Sequence, residues 1–154
     1  MMKYAGGPEL TEFLLAMSGL GPCRLLELGA EEASGVLLEA GYFAQGVDAV
    51  LAPEIEDGAF EAVLSQGVLY GSGQEKAAWQ EALRLLKQGG LFLLADACFS
   101  NVKGHVAVLQ EAGFEVLHVE DATALWAEYG QMEILEQLGG RGRCRYFLSI
   151  CRKP

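Results

Sequence analysis

A doubly wound α/β domain, with a mostly parallel sheet and helices on both faces, is the fold class predicted for this chain of 154 residues. Three observations predict it. Short apolar segments of strand length alternate with amphipathic segments of helix length. The run Leu91–Ala95 is apolar throughout, the pattern of a strand buried on both faces. Single helices separate most successive strands, as parallel pairing requires. With 51% hydrophobic and 21% charged residues, the chain builds a core without disulfide or metal staples, which excludes a disordered or knottin-like chain. Its length suits one domain, residues 1–154.

The elements follow in order. Pro8–Met17 is expected to be a helix: Pro8 suits the first helical position, and Leu10, Phe13, Leu14 and Met17 share a face. Ser18–Pro22 stops it. Arg24–Leu28 is a short strand ending at Gly29. Glu32–Ala40 reads as a helix with Val36, Leu37 and Ala40 inward, closed by Gly41. Phe43–Val47 is a second strand ending at Asp48, Pro53–Gly58 an acidic loop, and Phe60–Leu64 a third strand followed by Ser65-Gln66-Gly67. Gln74–Lys87 is the most regular helix, with Trp79, Ala82, Leu83 and Leu86 as its stripe and Gly89-Gly90 as its terminator. After the strand Leu91–Ala95, Asn101 caps a helix Val102–Ala112 with Val106 and Leu109 inward. Gly113 ends that helix and Phe114–Val119 is a strand. Asp121 caps a helix to about Leu138, on which Leu125, Tyr129, Met132 and Leu135 align, with Gly130 as a break. Tyr146–Cys151 is the last strand.

The formal charge of -10 sets a field that repels phosphate backbones, so nucleic acid is not expected as a partner. No apolar run approaches the ~20 residues that cross a bilayer. No basic-then-apolar leader precedes a small-residue cleavage site, and the expectation is a cytoplasmic protein that does not engage membrane. Cys23, Cys98, Cys144 and Cys151 form no C-x-x-C and have no histidine at metal-ligand spacing, which reads as free thiols and no metal site. Cys144 and Cys151 fall on opposite faces if their segment is a strand. Arg141, Arg143, Arg145, Arg152 and Lys153 are five of eleven basic residues. They read as a solvated tail counter-charging the protein's own carboxylates or, alternatively, as a local anion or partner site.

Doubly wound sheets bind ligands beyond the carboxyl ends of their strands. The residues there are Glu27 to Ala33, Asp48, Ser65-Gln66-Gly67 and Asp96. An acidic residue about twenty positions after a glycine turn can accept both hydroxyls of a ribose; from Glu27 to Asp48 is twenty-one positions. A plain turn residue is the alternative for Asp48. His105, on a helix, and His118, on a strand, lie away from the glycine turn, so structural or solvent roles are expected. Trp126 and Tyr129, at helical spacing, are expected to pack the core, with covering of a substrate as the alternative.

Five segments occur in a telling order: Leu25-Leu26-Glu27-Leu28-Gly29; Gly46-Val47-Asp48; Phe60–Ser65; Ala82–Leu91, with its R-x-L-K-x-G-G element; and Ala112–Val116. Together they resemble class I S-adenosylmethionine-dependent methyltransferases, nearest to the small type-11-like bacterial branch, over almost the whole chain. The resemblance implies a Rossmann-like sheet whose last strand, Tyr146–Cys151, is antiparallel. It also implies S-adenosylmethionine as cofactor. Glu27, Gly29 and Ala30 would belong to the turn around its methionine part, Asp48 would hold the ribose hydroxyls, and Ser65, Gln66, Gly67 and Val68 would line the floor near the sulfonium. Tyr4–Pro8 would be a lid. No catalytic residue is assigned, because displacement at a sulfonium methyl needs alignment more than an acid or base.

The sequence departs from that family in two places. The family's middle glycine is Glu31, which puts a side chain and a negative charge where the cofactor's carboxylate would lie. Between Asp48 and Phe60 only eleven residues intervene, Ala49 to Ala59, fewer than a helical crossover needs. The usual third strand and its helix are therefore expected to be missing, with Phe43–Val47 left at the sheet edge and Glu56 or Asp57 either stand-ins for the adenine-side acid or, equally, residues of a solvated loop. Two functions are weighed: methyl transfer to a small molecule, and a catalytically degenerate domain, a pseudoenzyme, acting through binding a protein partner or another nucleotide. A dinucleotide oxidoreductase fits less well, since its fingerprint also needs glycine at Glu31. The uncovered edge suggests a homodimer.

Overall fold

A computed structural model describes residues 7–49, 51–67, 73–98, 100–126 and 145–154. Its elements are α1 (Gly7–Ser18), β1 (Arg24–Leu28), α2 (Gly35–Glu39), β2 (Phe43–Val47), β3 (Phe60–Gln66), α3 (Glu75–Leu85), β4 (Leu86–Cys98), α4 (Val102–Glu111), β5 (Glu115–Asp121), α5 (Thr123–Trp126) and β6 (Arg145–Arg152). The six strands form one sheet in the order β2-β1-β3-β4-β6-β5. The first four run parallel, and β6 inserts antiparallel between β4 and β5. This is the expected mostly parallel sheet with its antiparallel last strand.

Each sheet face has its own core. On one side Leu10, Leu14 and Leu15 of α1 and Leu37 of α2 pack against Leu25, Leu64, Leu93 and Leu148. On the other, Ala78, Trp79, Ala82 and Leu85 of α3 and Leu109 of α4 meet Leu26, Val63, Phe92 and Leu94. Each fully buried leucine or phenylalanine contributes roughly 1.5–3 kcal/mol. The sequence periodicity found these helices because their stripes face a continuous apolar surface.

Several boundaries differ from expectation. The second helix starts at Gly35 instead of Glu32; Leu37 is its buried residue, Val36 is half-buried and Ala40 is exposed. The buried side of Gln74–Lys87 is Ala78, Trp79, Ala82 and Leu85. That helix stops at Leu85, because Leu86 turns extended and pairs with Phe60. Gly89 and Gly90 thus lie in the long fourth strand, where Gly89 N–H donates to the Lys153 carbonyl and Lys153 N–H to Gly90. Val106 is half-buried, and His105 turns inward beside Leu109 in its place. The Asn101 cap is present, its Oδ1 accepting from Gly104 N–H at 2.8 Å. Asp121 accepts from Thr123 N–H at 3.0 Å at the start of α5. The rest of that helix, with Tyr129, Met132 and Leu135, lies outside the described residues, as do Cys144, Arg141 and Arg143.

β2 is the sheet edge, and the described residues between Asp48 and Phe60 contain neither helix nor strand. The missing third strand is replaced by a connection that the fold holds tightly. Arg84 on α3 donates to the carbonyls of Ile55 (2.7 Å) and Ala52 (2.9 Å), to Asp57 (2.8 Å) and to Glu81 (2.7 Å). Glu81 accepts in turn from Ala52 N–H at 2.7 Å. Ala52 itself is fully buried against the α3 side of the sheet.

The tail arginines behave as counter-charges where they are described: Arg152 pairs with Glu115 at 2.7 Å and Arg145 with Asp121 at 3.9 Å. Cys23, Cys98 and Cys151 are free thiols. No helix among the described residues is long and apolar enough to cross a membrane.

His105 carries a prediction. Its Nε2 lies 2.9 Å from Ser149 Oγ, and its ring stacks on Phe147 with centroids 5.0 Å apart. Burial lowers its pKa from 6.5 to about 4. The unfolded chain therefore takes up a proton below pH 6.5 that the folded protein refuses until about pH 4. Folding stability should fall across that window by about 3 kcal/mol from this group alone, then level off. Urea denaturation at successive pH values checks this. His105→Gln, which keeps a donor for Ser149, should flatten the pH 4–6.5 slope; an unchanged slope would contradict it.

Candidate functional site

The carboxyl ends of β1, β2, β3 and β4 lie at one end of the sheet because their registers run in step: Leu28 opposite Val47, Glu27 opposite Leu64, Gln66 opposite Ala95. Of the residues assigned to a cofactor from the sequence, the described ones, Glu27, Gly29, Ala30, Asp48, Ser65, Gln66 and Gly67, stand at that end. Four parts of the chain shape it.

The turn after β1 begins at Gly29, whose φ of 74° is the left-handed conformation glycine tolerates. Glu27 is 1% exposed, and its carboxylate accepts from Ser34 N–H at 2.8 Å, so it braces the turn from beneath. The turn lies against β2 at Gly46. A Cβ there would stand 2.8 Å from the carbonyl carbon of Glu32 and closer still to the Ala30 carbonyl oxygen. Glycine inside a strand marks such an approach, and the sequence carried that signal at Gly46. Ala30 is buried and its N–H donates to the Val47 carbonyl at 3.0 Å; Gly29 N–H donates to Ala49 at 3.2 Å. Glu31 is exposed, and no non-glycine residue has positive φ among those described. Its side chain thus brings a charge to the turn without backbone strain.

Asp48 is exposed just beyond β2. At the end of β3, Ser65 is fully buried and its Oγ has no hydrogen-bond partner among the described residues. Gln66 faces the opposite side, where Oε1 accepts from Thr11 Oγ1 of α1 at 2.6 Å. Sequence reasoning missed Thr11, a polar residue within an apolar stripe, which ties the first helix to this end of the sheet. Gly67, with φ of 67°, turns the chain away, and its N–H donates to Ala95 at 2.7 Å. Asp96, at the end of β4, accepts from Ala97 N–H at 2.9 Å. Burial pushes the Cys98 thiol up, so it stays protonated at neutral pH.

On the adenine side Glu56 and Asp57 lie in an exposed loop, the second of the two readings of the sequence. Asp57 pairs with Arg84 at the surface instead of standing free, and Glu56 is exposed in the same loop. Of the lid segment, Gly7 and Pro8 belong to the start of α1, and Tyr4–Gly6 lie outside the described residues, as does Val68. His105 is held by Ser149 and His118 sits on β5, the far edge strand of the sheet.

The residues fit a nucleoside-bearing ligand in part. Asp48 offers an exposed carboxylate where β2 ends, and Ser65 holds a buried hydroxyl without a partner among the described residues. The amides of Gly29, Ala30 and Gly67 are already bonded within the chain.

No protein-family model matches the sequence, and no curated protein matches it significantly. Solved structures do match in fold. The [4+2]-cyclase SpnF is 21% identical with a TM-score of 0.65, over 96% of this chain and 80% of that one. The 1,6-didemethyltoxoflavin-N1-methyltransferase of Burkholderia thailandensis, solved with its substrate and S-adenosylhomocysteine, is 15% identical with a TM-score of 0.65, over 98% and 79%. The geranyl diphosphate C-methyltransferase of Streptomyces coelicolor is 13% identical with a TM-score of 0.71, over 95% and 79%. The chain thus has the Rossmann-like fold of class I S-adenosylmethionine-dependent methyltransferases. Within that fold it is a short version, its sheet ending at β2.

Proposed function

We propose that this chain binds S-adenosylmethionine at the carboxyl ends of β1 to β4 and transfers its methyl group to a small molecule, as a cytoplasmic enzyme of the small bacterial type-11-like branch. The observation that carries the reading is the exposed Asp48 carboxylate at the end of β2, beside a turn that Gly29 opens and Glu27 braces. Asp48 would accept both ribose hydroxyls, and Ser65 Oγ would give its unused hydrogen bond to the ligand. When bound, the cofactor supplies a methyl group on a good leaving group, so the chain's task is to align and to exclude water. The buried Ser65 suits that task on one face of the sheet, while Gln66 on the other ties α1 to this end.

A second reading, a domain that binds a protein partner without turnover, is supported by the exposed Glu31 in the turn and by the internal bonding of the Gly29 and Ala30 amides.

Calorimetry with S-adenosylmethionine and S-adenosylhomocysteine separates the two. The enzyme reading expects micromolar binding, roughly -8 kcal/mol. Asp48→Ala should weaken it about ten- to a hundredfold, the loss of charged hydrogen bonds. Absence of heat at millimolar ligand, with the protein folded, would sink the enzyme reading.

A further inference from the structure

We propose that the outer edge of β2 pairs antiparallel with the β2 edge of a second copy of this chain, about a twofold axis at Gln45. This pairing does not depend on cofactor binding.

The backbone is set for it. Phe43 N–H donates to Cys23 and the Val47 carbonyl accepts from Ala30, so residues 43 and 47 direct their backbone groups inward. Alternation along the strand leaves those of Ala44 and Gly46 pointing outward at the end of the sheet. A twofold axis at Gln45 sets Ala44 of one copy opposite Gly46 of the other. Each such pair exchanges two hydrogen bonds, and the symmetry makes the pair twice. Phe43 then faces Val47 of the second copy in the close, non-hydrogen-bonded position where side chains touch. Phe43 is 77% exposed, more than any other large apolar side chain among the described residues.

The two edges of the sheet are built differently. β5 carries Glu115, His118, Glu120 and Asp121, and a register shift falls between Val116 and His118. Charge and bulge are the devices that keep an edge from pairing. β2, Phe-Ala-Gln-Gly-Val, has no charge, no proline and an unbroken register with β1. In a molecule of net charge -10, an uncharged strand is the part of the surface where two copies meet with least repulsion. Beside it lies an open groove of about 830 Å³, lined by Pro22, Leu38 and Tyr42 among others. It gives the second copy's chain, leaving the sheet after Val47, room to pass. Leu38, 54% exposed on the wall, gains apolar cover.

Pairing of two five-residue strands is expected to be weak, with a dissociation constant in the micromolar range. Sedimentation velocity from about 1 to about 200 µM spans that range. The expected result is an average mass rising from the 16.5 kDa of one chain toward twice that value. Because Gln45 faces itself across the axis and is exposed, Gln45→Lys and Gln45→Glu should each fold normally. Each alone should associate at least tenfold more weakly through like-charge contact. Mixed in equal amounts, they should pair again. A wild-type protein that stays at one chain mass, a Gln45→Lys protein that pairs as well as wild type, or a mixture that fails to pair would each overturn the proposal.

Discussion

Gly46→Ala is expected to lower S-adenosylmethionine affinity at least a hundredfold and to destabilise the fold by about 3 kcal/mol, the upper range for overpacking. The added Cβ meets backbone, the Ala30 carbonyl oxygen and the Glu32 carbonyl carbon, instead of a side chain that could swing aside. Either the turn after β1 lifts or β2 moves outward. In both cases the bonds from Ala30 N–H to Val47 and from Gly29 N–H to Ala49 are lost. Amide exchange at Gly29 and Ala30 should accelerate, while Leu93 and Leu94, deep in β4, remain protected. The urea midpoint and the two exchange rates check the structural half without any ligand. An alanine variant with wild-type stability and slow exchange at Gly29 would show that the turn does not rest on Gly46.

Arg84→Met should cost about 3 kcal/mol in urea denaturation, with the m-value unchanged if the transition stays two-state. The substitution retains the aliphatic stem but leaves the Ala52 and Ile55 carbonyls and Glu81 without their charged donor. Charge-assisted bonds of this kind are worth roughly 1.5–3 kcal/mol each, though they do not add. Arg84→Lys should recover only part of the loss, since an ammonium cannot span four acceptors as a planar fork does. The Arg84 bond holds the Glu81 carboxyl below its ordinary 4.5, so its contribution is present above that pH and fades as the pH falls through the lowered value. A loss below about 0.5 kcal/mol, the scatter of ordinary surface changes, would mean that the connection keeps its path without the clamp.

The fold was legible because its helices and strands carry periodic apolar patterns against two continuous cores, as with Trp79 and Ala82 or Leu10 and Leu14. The truncation was legible from the count of residues between Asp48 and Phe60. Boundaries were less so: the pattern through Leu86 and Lys87 continues a helical stripe, yet pairing with Phe60 pulls Leu86 into the sheet. Likewise His105 took the inward place expected of Val106, because Ser149 and Phe147 on β6 satisfy its ring. That depends on a strand more than forty residues away and leaves no local mark. At the site, glycine and acidic residues after strands were visible in the sequence. Thr11 and the bonding of the Gly29 and Gly67 amides were not, since they arise from tertiary contacts.

The unlike construction of the two sheet borders also limits how far assembly can proceed. In the proposed pair the bare strand joined to its own image would be consumed by that contact, and the opposite border, with Glu115, Glu120 and Asp121 along it, would resist further strands. Association of this symmetry closes at two members. A second bare border would let each added molecule present a fresh strand and grow a filament. In the proposed pair the charged side chains of β5, with Glu115 and Asp121 paired to Arg152 and Arg145, would act as chain terminators, and replacing that border with uncharged residues would open a route from a closed pair to an unbounded polymer.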